Sequence, residues 1–329
     1  MRQQHRDPLS GSGTTPSPRP EPGQIAVLPS APPAFVEAVV AGGGEVAELD
    51  ARTRGLVWLS EKRANELAEV LEAHPAIGWV QLPWAGVDAF ADLFASLSGG
   101  RGPVFTSAKG AYSEPVAEHA VTLAQAVLRE LAPKARHARG AEARTGKSMY
   151  GRHVDLVGAG GIAREILRLL EPYRVTVTVV RRTALPLEGA HETVAVDALH
   201  DVLPRAEVLI LAAAATSASR HLIGARELAL LPEGAALVNI ARGALVDTAA
   251  LGEALAQGRL VGAGLDVTEP EPLPADHPLW REPRCLITSH SADTPEMTAP
   301  LLAQRITENV RGFLGDGRFV GLVDPEAGY

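Results

Sequence analysis

The chain has 329 residues, enough for two domains of ordinary size, and 46% of them are apolar, as in a globular protein. Its formal net charge is −8 and no run of Lys and Arg stands out, which argues against nucleic acid or an anionic membrane as main partner. The single cysteine, Cys285, excludes an intramolecular disulfide, and its apolar neighbours predict a small buried side chain with no metal-ligand spacing around it. The longest apolar run, residues 208–215, is too short to span a bilayer.

The first 23 residues are rich in Pro, Ser, Gly and Arg and contain no apolar core. We expect a disordered tail, because such a segment cannot bury enough apolar surface to offset the entropy lost on ordering. The segment also lacks the apolar stretch of a secretory signal, so the expected location is the cytoplasm.

From residue 24 onward, short apolar runs alternate with helical patterns, which predicts βαβ units and a parallel sheet. The predicted strands of this first array are residues 25–28, 55–58 and 77–82, and its predicted helices are residues 64–73 and 88–97. A long, mostly apolar helix at residues 116–131 follows a Gly-rich stretch. We expect this helix to be buried, either against the other domain or in a dimer interface.

A second αβ array begins at residue 153. Its predicted strands are residues 154–157, 175–180, 208–212, 236–240, 261–266 and 286–288, with helices between most of them. A last helix, at residues 294–314, is expected to return to the first domain. The fold class predicted by this alternation is α/β, with two parallel sheets.

The first strand of the second array runs into the motif Gly-Ala-Gly-Gly-Ile-Ala at residues 158–163, which matches G-x-G-x-x-G/A. Gly158 permits the tight turn and Gly160 lets the backbone approach a pyrophosphate. The helix that follows offers N–H groups and the positive end of its dipole to the phosphates. A strand before the motif and a helix after it favour a dinucleotide site over a glycine turn without a ligand. The predicted cofactor contacts here are Gly158, Gly160, Gly161 and Ile162.

The next strand ends in Arg181, Arg182 and Thr183, without the carboxylate that would bind the ribose 2′-OH of NAD. Two guanidinium groups can hold a 2′-phosphate through bidentate hydrogen bonds, and Thr183 could add a hydroxyl. The alternative is a pair of solvated arginines at a strand end. The sequence thus predicts that NADP(H) is preferred and that NAD(H) is possible.

Three ionisable residues, Arg242, Glu271 and His290, each lie just beyond the carboxyl end of a predicted strand. Ligands bind at that edge of a doubly wound sheet. Taken singly, each could be structural: His290 a satisfied histidine, Glu271 a solvated loop acid and Arg242 the cap of a strand. Their combination after a dinucleotide loop favours a catalytic site.

At these segments the chain resembles the D-isomer-specific 2-hydroxyacid dehydrogenases, in particular the glyoxylate/hydroxypyruvate reductases. The resemblance covers nearly the whole chain after the tail. It rests on residues 85–88, 116–118, 158–163, 216, 220–223 and 238–243 and on the segments of Glu271 and His290. The chain departs from the family at Ser289, where Pro is usual, at Thr268, where an aromatic residue is common, and at residues 291–293 (Ser-Ala-Asp), where Gly-rich or apolar residues are common.

The resemblance implies a role for each residue in the reduction of a 2-oxoacid. His290 would donate the proton, since imidazole ionises near neutral pH, and Glu271 would orient it. Arg242 would hold the substrate carboxylate and polarise the carbonyl. The other implied contacts are the backbone N–H groups of Ala85 and Gly86 for the substrate carboxylate and Thr216, Ala241 and Asp266 for the cofactor, with Trp84 and Tyr112 as weaker candidates for shaping the pocket.

The family also implies two Rossmann/flavodoxin-like domains, with the cofactor domain (residues 106–291) inserted into a discontinuous substrate domain (24–105 and 292–329) and the substrate in the cleft between them. It implies a homodimer and a small 2-oxoacid, such as glyoxylate or hydroxypyruvate, as substrate. A formate dehydrogenase would carry Gln where Glu271 stands. A phosphite- or phosphoglycerate-type dehydrogenase stays open, although the short C-terminus leaves no room for a regulatory domain. A nonenzymatic, dinucleotide-sensing protein also stays open.

Overall fold

The computed structural model describes residues 4–9, 13–16, 19–97, 102–136, 145–216 and 218–325. The chain divides into two compact units, Met1–Glu114 with Thr294–Tyr329, and Pro115–Asp293. The sequence predicted these divisions after residues 105 and 291. None of the helices within the described ranges is long and apolar enough to cross a membrane.

The first unit contains a parallel sheet with the strand order β1-β2-β3-β4 in the described part of the chain. The strands are β1 (Gln24–Leu28), β2 (Thr53–Trp58), β3 (Trp79–Gln81) and β4 (Val104–Thr106), and the helices are α1 (Pro33–Ala41), α2 (Ala64–Ala73) and α3 (Ala91–Ser96). Their core is apolar and includes the buried side chains of Trp58, Leu67, Val80, Phe90 and Phe105. The sequence did not predict β4, because its three residues directly follow a Gly-rich stretch that reads as a loop.

The second unit contains a seven-stranded parallel sheet with the order β11-β10-β9-β8-β5-β6-β7 among the described residues. Its strands are β5 (His153–Val157), β6 (Thr176–Arg181), β7 (Glu192–Ala195), β8 (Val208–Leu211), β9 (Ala235–Asn239), β10 (Leu260–Leu265) and β11 (Cys285–Ile287). Its helices are α4 (Ser113–Leu128, whose first two residues belong to the first unit), α5 (Leu131–Arg136), α6 (Gly161–Leu170), α7 (Leu199–Val202), α8 (Ala225–Leu230) and α9 (Thr248–Ala256). The last helix, α10 (Pro295–Leu314), belongs to the first unit. The order reverses between β5 and β8, and this is the switch point at which doubly wound sheets bind ligands.

The long apolar helix α4 packs on a strand of its own unit. A Cβ atom at Gly264 of β10 would lie 2.9 Å from the Cβ of Leu123, and one at Gly262 would lie 3.1 Å from a methyl of Val127. The two glycines therefore let the helix lie close to the sheet. The expectation of burial against the other domain or in a dimer interface was incomplete, because the second unit itself covers this helix. The homodimer stays a prediction.

The described part of the N-terminal segment differs from the expected disordered tail. The side chains of Asp7 and Arg305 are both fully buried and form an ion pair. Thr14 makes an antiparallel bridge with Phe319, its N–H donating to the Phe319 carbonyl over 2.8 Å. An ion pair and backbone hydrogen bonds thus supply the anchoring that the composition could not predict. Residues 1–3, 10–12, 17 and 18, also part of the expected tail, lie outside the described residues.

Candidate active site

The glycine loop between β5 and α6 has the geometry of a phosphate-binding turn. Gly158 has φ +122°, and a Cβ atom there would lie 2.4 Å from the carbonyl oxygen of Ala212. Only glycine fits this position. Gly160 is the N-cap of α6, and a Cβ atom there would have no neighbour within 4 Å. Open space therefore lies in front of the α6 N-terminus, where Gly161 and Ile162 present backbone N–H groups in the first turn.

The tip of β6 lies beside this loop, because β5 and β6 are neighbours in the sheet. Arg181 is half-buried and donates a hydrogen bond from Nη1 to the Leu185 carbonyl, at 3.2 Å. Arg182 and Thr183 are exposed. These three residues present positive charge and a hydroxyl at the carboxyl edge of the sheet. Their contact with a ribose phosphate stays a prediction.

A buried asparagine shapes the loop after β9, and sequence reasoning did not single it out. Asn239 has no exposed surface. Its Oδ1 accepts from the Ala241 N–H at 3.0 Å, and its Nδ2 donates to the Arg242 carbonyl at 2.9 Å. Asn239 therefore fixes the backbone that carries Ala241 and Arg242. The only sequence signal was an amide side chain at the end of an otherwise apolar strand.

The loops after β9 and β10 touch at Gly243. A Cβ atom at this glycine would lie only 1.9 Å from the carbonyl oxygen of Thr268. The guanidinium of the preceding residue, Arg242, is half-buried, and its Nη1 donates to the Ala241 carbonyl at 2.8 Å. The close approach places the Arg242 loop directly beside the segment that leads to Glu271.

His290 and Glu271 form a hydrogen-bonded pair, as the sequence predicted for a proton donor and its partner. Nδ1 of His290 lies 2.6 Å from Oε1 of Glu271. The side chains remain 50% and 41% exposed, so the pair is accessible to a substrate. Because Nδ1 faces the carboxylate, Nε2 is the ring nitrogen left for a reacting group. His290 and Ser289 both have left-handed backbone conformations, with φ of +56° and +51°.

Asp266, which the sequence predicted as a cofactor contact, holds the backbone around His290. Its carboxylate is 2% exposed and accepts hydrogen bonds from the Thr288 hydroxyl (2.6 Å) and from the N–H groups of Ser291 (2.8 Å) and Ala292 (3.2 Å). Its carbonyl oxygen accepts from the His290 N–H at 2.5 Å. Burial alone would raise the pKa of Asp266, but hydrogen bonds, first among them one from His119, lower it to about 2. The aspartate is therefore ionised at neutral pH.

Asp293 brings a further carboxylate near the catalytic candidates. Burial raises its pKa, while the charges of His290 and Arg242 oppose that rise. Since both charges act on its pKa, Asp293 lies close enough to His290 and Arg242 to interact with them electrostatically. Thr268, another departure from the family pattern, donates its hydroxyl to the Pro270 carbonyl at 2.9 Å and so stabilises the turn before Glu271.

The cofactor candidate Thr216 follows β8 at the same edge of the sheet. Its side chain is exposed, and its N–H donates to the Ser219 hydroxyl at 2.7 Å. Cys285 is buried in β11, and burial raises the pKa of its thiol to about 12. Across the described ranges, no group of three or more His, Cys, Asp or Glu side chains could hold a metal ion.

The remaining candidates belong to the first unit. Trp84, Ala85 and Gly86 lie half-buried in the loop after β3. The Tyr112 hydroxyl donates to the Pro83 carbonyl at 2.7 Å, and its ring meets Trp84 edge-on with 6.0 Å between centroids. This packing orders the loop that carries Ala85 and Gly86. Their contact with a substrate stays a prediction.

Comparison with known proteins identifies the family of the chain. Residues 121–292 match the family "D-isomer specific 2-hydroxyacid dehydrogenase, NAD binding domain". The chain is 33% identical over 298 residues to an uncharacterized protein of Corynebacterium melassecola, covering 89% of this chain and 95% of that protein. It is 30% identical over 257 residues to a glyoxylate reductase of Korarchaeum cryptofilum, covering 75% and 76%.

A solved structure extends the likeness to both units. A D-isomer specific 2-hydroxyacid dehydrogenase of Xanthobacter autotrophicus Py2, in complex with NADPH and MES, superposes with a TM-score of 0.78 at 27% identity. The match covers 94% of this chain and all of the other. The chain therefore belongs to the D-isomer specific 2-hydroxyacid dehydrogenase family and is an NAD(P)-dependent dehydrogenase.

Proposed function

We propose that this chain reduces a small 2-oxoacid, such as glyoxylate or hydroxypyruvate, to the D-2-hydroxyacid, and that NADPH is its preferred cofactor. The hydrogen bond of 2.6 Å between His290 and Glu271 carries this proposal. The pair lies beyond the adjacent strands β11 and β10, and Arg242 lies beyond β9, which neighbours β10. A proton donor, its orienting carboxylate and a guanidinium thus share one edge of the sheet.

The glycine loop fits a dinucleotide, because Gly158 is required by the turn and the space in front of Gly160 is open. A bound reduced nicotinamide supplies the hydride for the substrate carbon. The residues proposed to hold the cofactor are Gly158, Gly160, Gly161 and Ile162 at the pyrophosphate, Arg181, Arg182 and Thr183 at the adenosine ribose, and Thr216, Ala241 and Asp266 along the remaining length. Two arginines and no acid at the tip of β6 support NADPH. The NADPH bound to the Xanthobacter relative agrees with this preference.

The protein's own contribution to the reaction is orientation, charge and one proton. Glu271 accepts from Nδ1–H of His290 and balances the positive imidazolium, so Nε2–H is directed at the substrate oxygen. His290 would give this proton to the carbonyl oxygen, which becomes the hydroxyl oxygen of the product. Arg242 binds the substrate carboxylate through its fork of N–H donors and stabilises the negative charge that develops on oxygen.

Asp293 favours a small monoanionic substrate over a phosphorylated one. A carboxylate near His290 and Arg242 would repel the second negative charge of a phosphate group. We expect the Asp293→Ala variant to gain activity on phosphorylated 2-oxoacids relative to unphosphorylated ones. An unchanged ratio of kcat/KM values between the two classes would remove Asp293 from the account of specificity.

The substrate and cofactor can be tested together with the purified protein. NADPH and NADH consumption would be followed with glyoxylate, hydroxypyruvate, pyruvate and phenylpyruvate. We expect turnover of the small oxoacids with NADPH preferred, and a shift toward NADH when Arg181 and Arg182 are both replaced by Ser. Faster turnover with NADH in the parent would contradict the ribose assignment. Turnover with none of the four acids, despite dinucleotide binding, would point to a phosphite-type substrate.

A further inference from the structure

One histidine outside the proposed catalytic set contacts the network that supports His290. His119 lies on α4, with 20% of its side chain exposed. Its Nε2 is 2.9 Å from the Thr288 hydroxyl oxygen and 3.5 Å from Oδ1 of Asp266. The Thr288 hydroxyl is in turn 2.6 Å from the same Oδ1. The three side chains form a continuous chain of hydrogen bonds from α4 to the loop of His290.

The chemistry of these groups fixes the direction of every hydrogen bond in the chain. Asp266, with its pKa of about 2, is ionised and can only accept. The single hydroxyl proton of Thr288 must therefore point to Asp266. The Thr288 oxygen is then an acceptor for His119, so Nε2 of His119 carries a proton whether the imidazole is neutral or charged.

The end of this chain is a strained piece of backbone. Ser289 and His290 are consecutive left-handed residues, a backbone conformation that is unfavourable for residues with a side chain. The two residues that follow the left-handed pair are held in place, because the N–H groups of Ser291 and Ala292 donate hydrogen bonds to the Asp266 carboxylate. An ionised and correctly oriented Asp266 is thus what keeps His290 in its exposed position.

We propose that His119 is a positioning residue for the reaction: its Nε2–H, donated to the Thr288 oxygen, fixes the hydroxyl that binds Asp266 and so holds the Asp266 carboxylate and the loop of His290 in place. This inference rests on the proposed function of His290 as proton donor. His119 touches no reacting atom, so its replacement should act on the His290 loop and not on the chemistry of the proton itself.

The ionisable groups around Asp266 define the expected pH dependence. His119 faces it from α4 and Asp293 from the loop after β11, and Asp293 is itself influenced by the charges of His290 and Arg242. Among the hydrogen bonds that lower the pKa of Asp266, the one from His119 is the largest. Without it, less opposes the effect of burial, and the pKa of Asp266 rises. Protonation then removes the acceptor for Ser291 and Ala292 at a higher pH than in the parent.

The test compares variants at two positions of the chain with a matched control. His119→Leu removes the donor, whereas His119→Gln keeps an N–H at a similar reach. Thr288→Val removes the hydroxyl, whereas Thr288→Ser keeps it. The control is His200→Leu, which removes another histidine–carboxylate contact of the second unit, 2.7 Å from Glu227. Reduction of glyoxylate with NADPH would be measured from pH 4.5 to 8, together with the unfolding midpoint over the same range.

We expect His119→Leu and Thr288→Val to lower kcat about tenfold at pH 7, the effect of one buried hydrogen bond, with little change in KM for NADPH. Both should also lose further activity as the pH falls, while His119→Gln, Thr288→Ser and His200→Leu keep the parent's profile. A merely structural role would lower the unfolding midpoint by the same amount at every pH. In His119→Leu, the stability that an ionised Asp266 contributes should instead disappear at a higher pH than in the parent.

A parent-like pH profile and kcat in His119→Leu would overturn the proposal. Equal losses in His119→Gln and His119→Leu would also overturn it, since they would assign the effect to packing. If no variant, nor the parent, reduces any 2-oxoacid, the proposed function fails. The pH dependence of the unfolding midpoint still tests the role of His119 in that case.

Discussion

Asp155 provides a quantitative prediction, because the structure leaves this buried carboxylate without a hydrogen bond. It lies in the middle of β5 with no exposed surface, and neither of its oxygens has a hydrogen-bond partner. The imidazole of His153 lies nearby, with Nε2 3.6 Å from Oδ1. Burial raises the pKa of Asp155 from its ordinary value of 3.8 to about 7, although the charge of Arg205 opposes the rise.

The raised pKa makes the folded state less stable as the pH rises. A carboxyl that binds its proton more tightly when folded contributes stability that is complete below pH ~4 and is lost as the pH passes about 7. At 1.36 kcal/mol per pKa unit, the difference between 3.8 and about 7 corresponds to roughly 4 kcal/mol. Asp155→Asn should remove this slope of about 1.4 kcal/mol per pH unit between pH 4 and 7.

The assay is urea unfolding of the parent and Asp155→Asn from pH 4.5 to 8.5. Burial and Arg205 lower the pKa of His153, which gives a slope of the opposite sign, so the quantity to compare is the difference between variant and parent. That difference should shift in favour of the variant by about 3 kcal/mol or more across the range. The exposed Asp197→Asn variant should keep the parent's slope. A difference that does not change with pH would refute the assignment of a buried, uncompensated carboxyl.

Three further predictions concern the packing of the chain. Asp7→Ala should lower the free energy of unfolding by about 3–5 kcal/mol, because it leaves the fully buried Arg305 without its counter-charge. Urea unfolding would measure this loss, and a loss below about 1 kcal/mol would mean that the N-terminal segment does not pack against Arg305. Gly243→Ala should reduce kcat at least a hundredfold, because its methyl would overlap the Thr268 carbonyl and displace the catalytic loops, and a near-normal kcat in steady-state assays would contradict that contact. Cys285, with its thiol pKa of about 12, should resist iodoacetamide at pH 8 in the folded protein and react after denaturation, as mass spectrometry would show.

The carboxyl edge of the second sheet was predictable because its signals are local. The strand before Gly158 and the helix after it are contiguous in sequence, and the turn leaves no room for a side chain at Gly158. Arg242, Glu271 and His290 could be assigned to one edge because parallel strands end together there. The family resemblance implied the pairing of His290 with Glu271, and the structure places Nδ1 and Oε1 of the two side chains 2.6 Å apart, while their catalytic roles stay predictions.

The elements that were missed depend on contacts between distant parts of the chain. The strand β7 has no fully buried residue and lies at the edge of its sheet, so it carries no apolar signal. Asp7 is separated from Arg305 by nearly the whole chain, and composition alone cannot predict a buried ion pair. The helix α4 was predicted to reach residue 131, but Glu130 has a left-handed conformation, with φ +52°, which ends the helix first.

The supporting residues of the site were harder to predict than the residues expected to react. Asn239 and His119 act through hydrogen bonds to backbone or to a second side chain, and the sequence does not show which partner either side chain will meet. Asp266 was recognised as a site residue, but its hydrogen bonds to Ser291 and Ala292 become visible only when β10 and β11 are placed side by side. Tertiary structure, not local pattern, assigns these roles.

The central claim, that His290 donates the proton in the reduction of a 2-oxoacid, is tested most directly by separating cofactor binding from turnover. In His290→Ala, NADPH should bind with the parent's affinity, measured by quenching of protein fluorescence or by calorimetry. The same variant should reduce glyoxylate at least a thousandfold more slowly at neutral pH, because it lacks the proposed proton donor to the carbonyl oxygen. Retained turnover in the His290→Ala variant, with cofactor binding intact, would contradict the account.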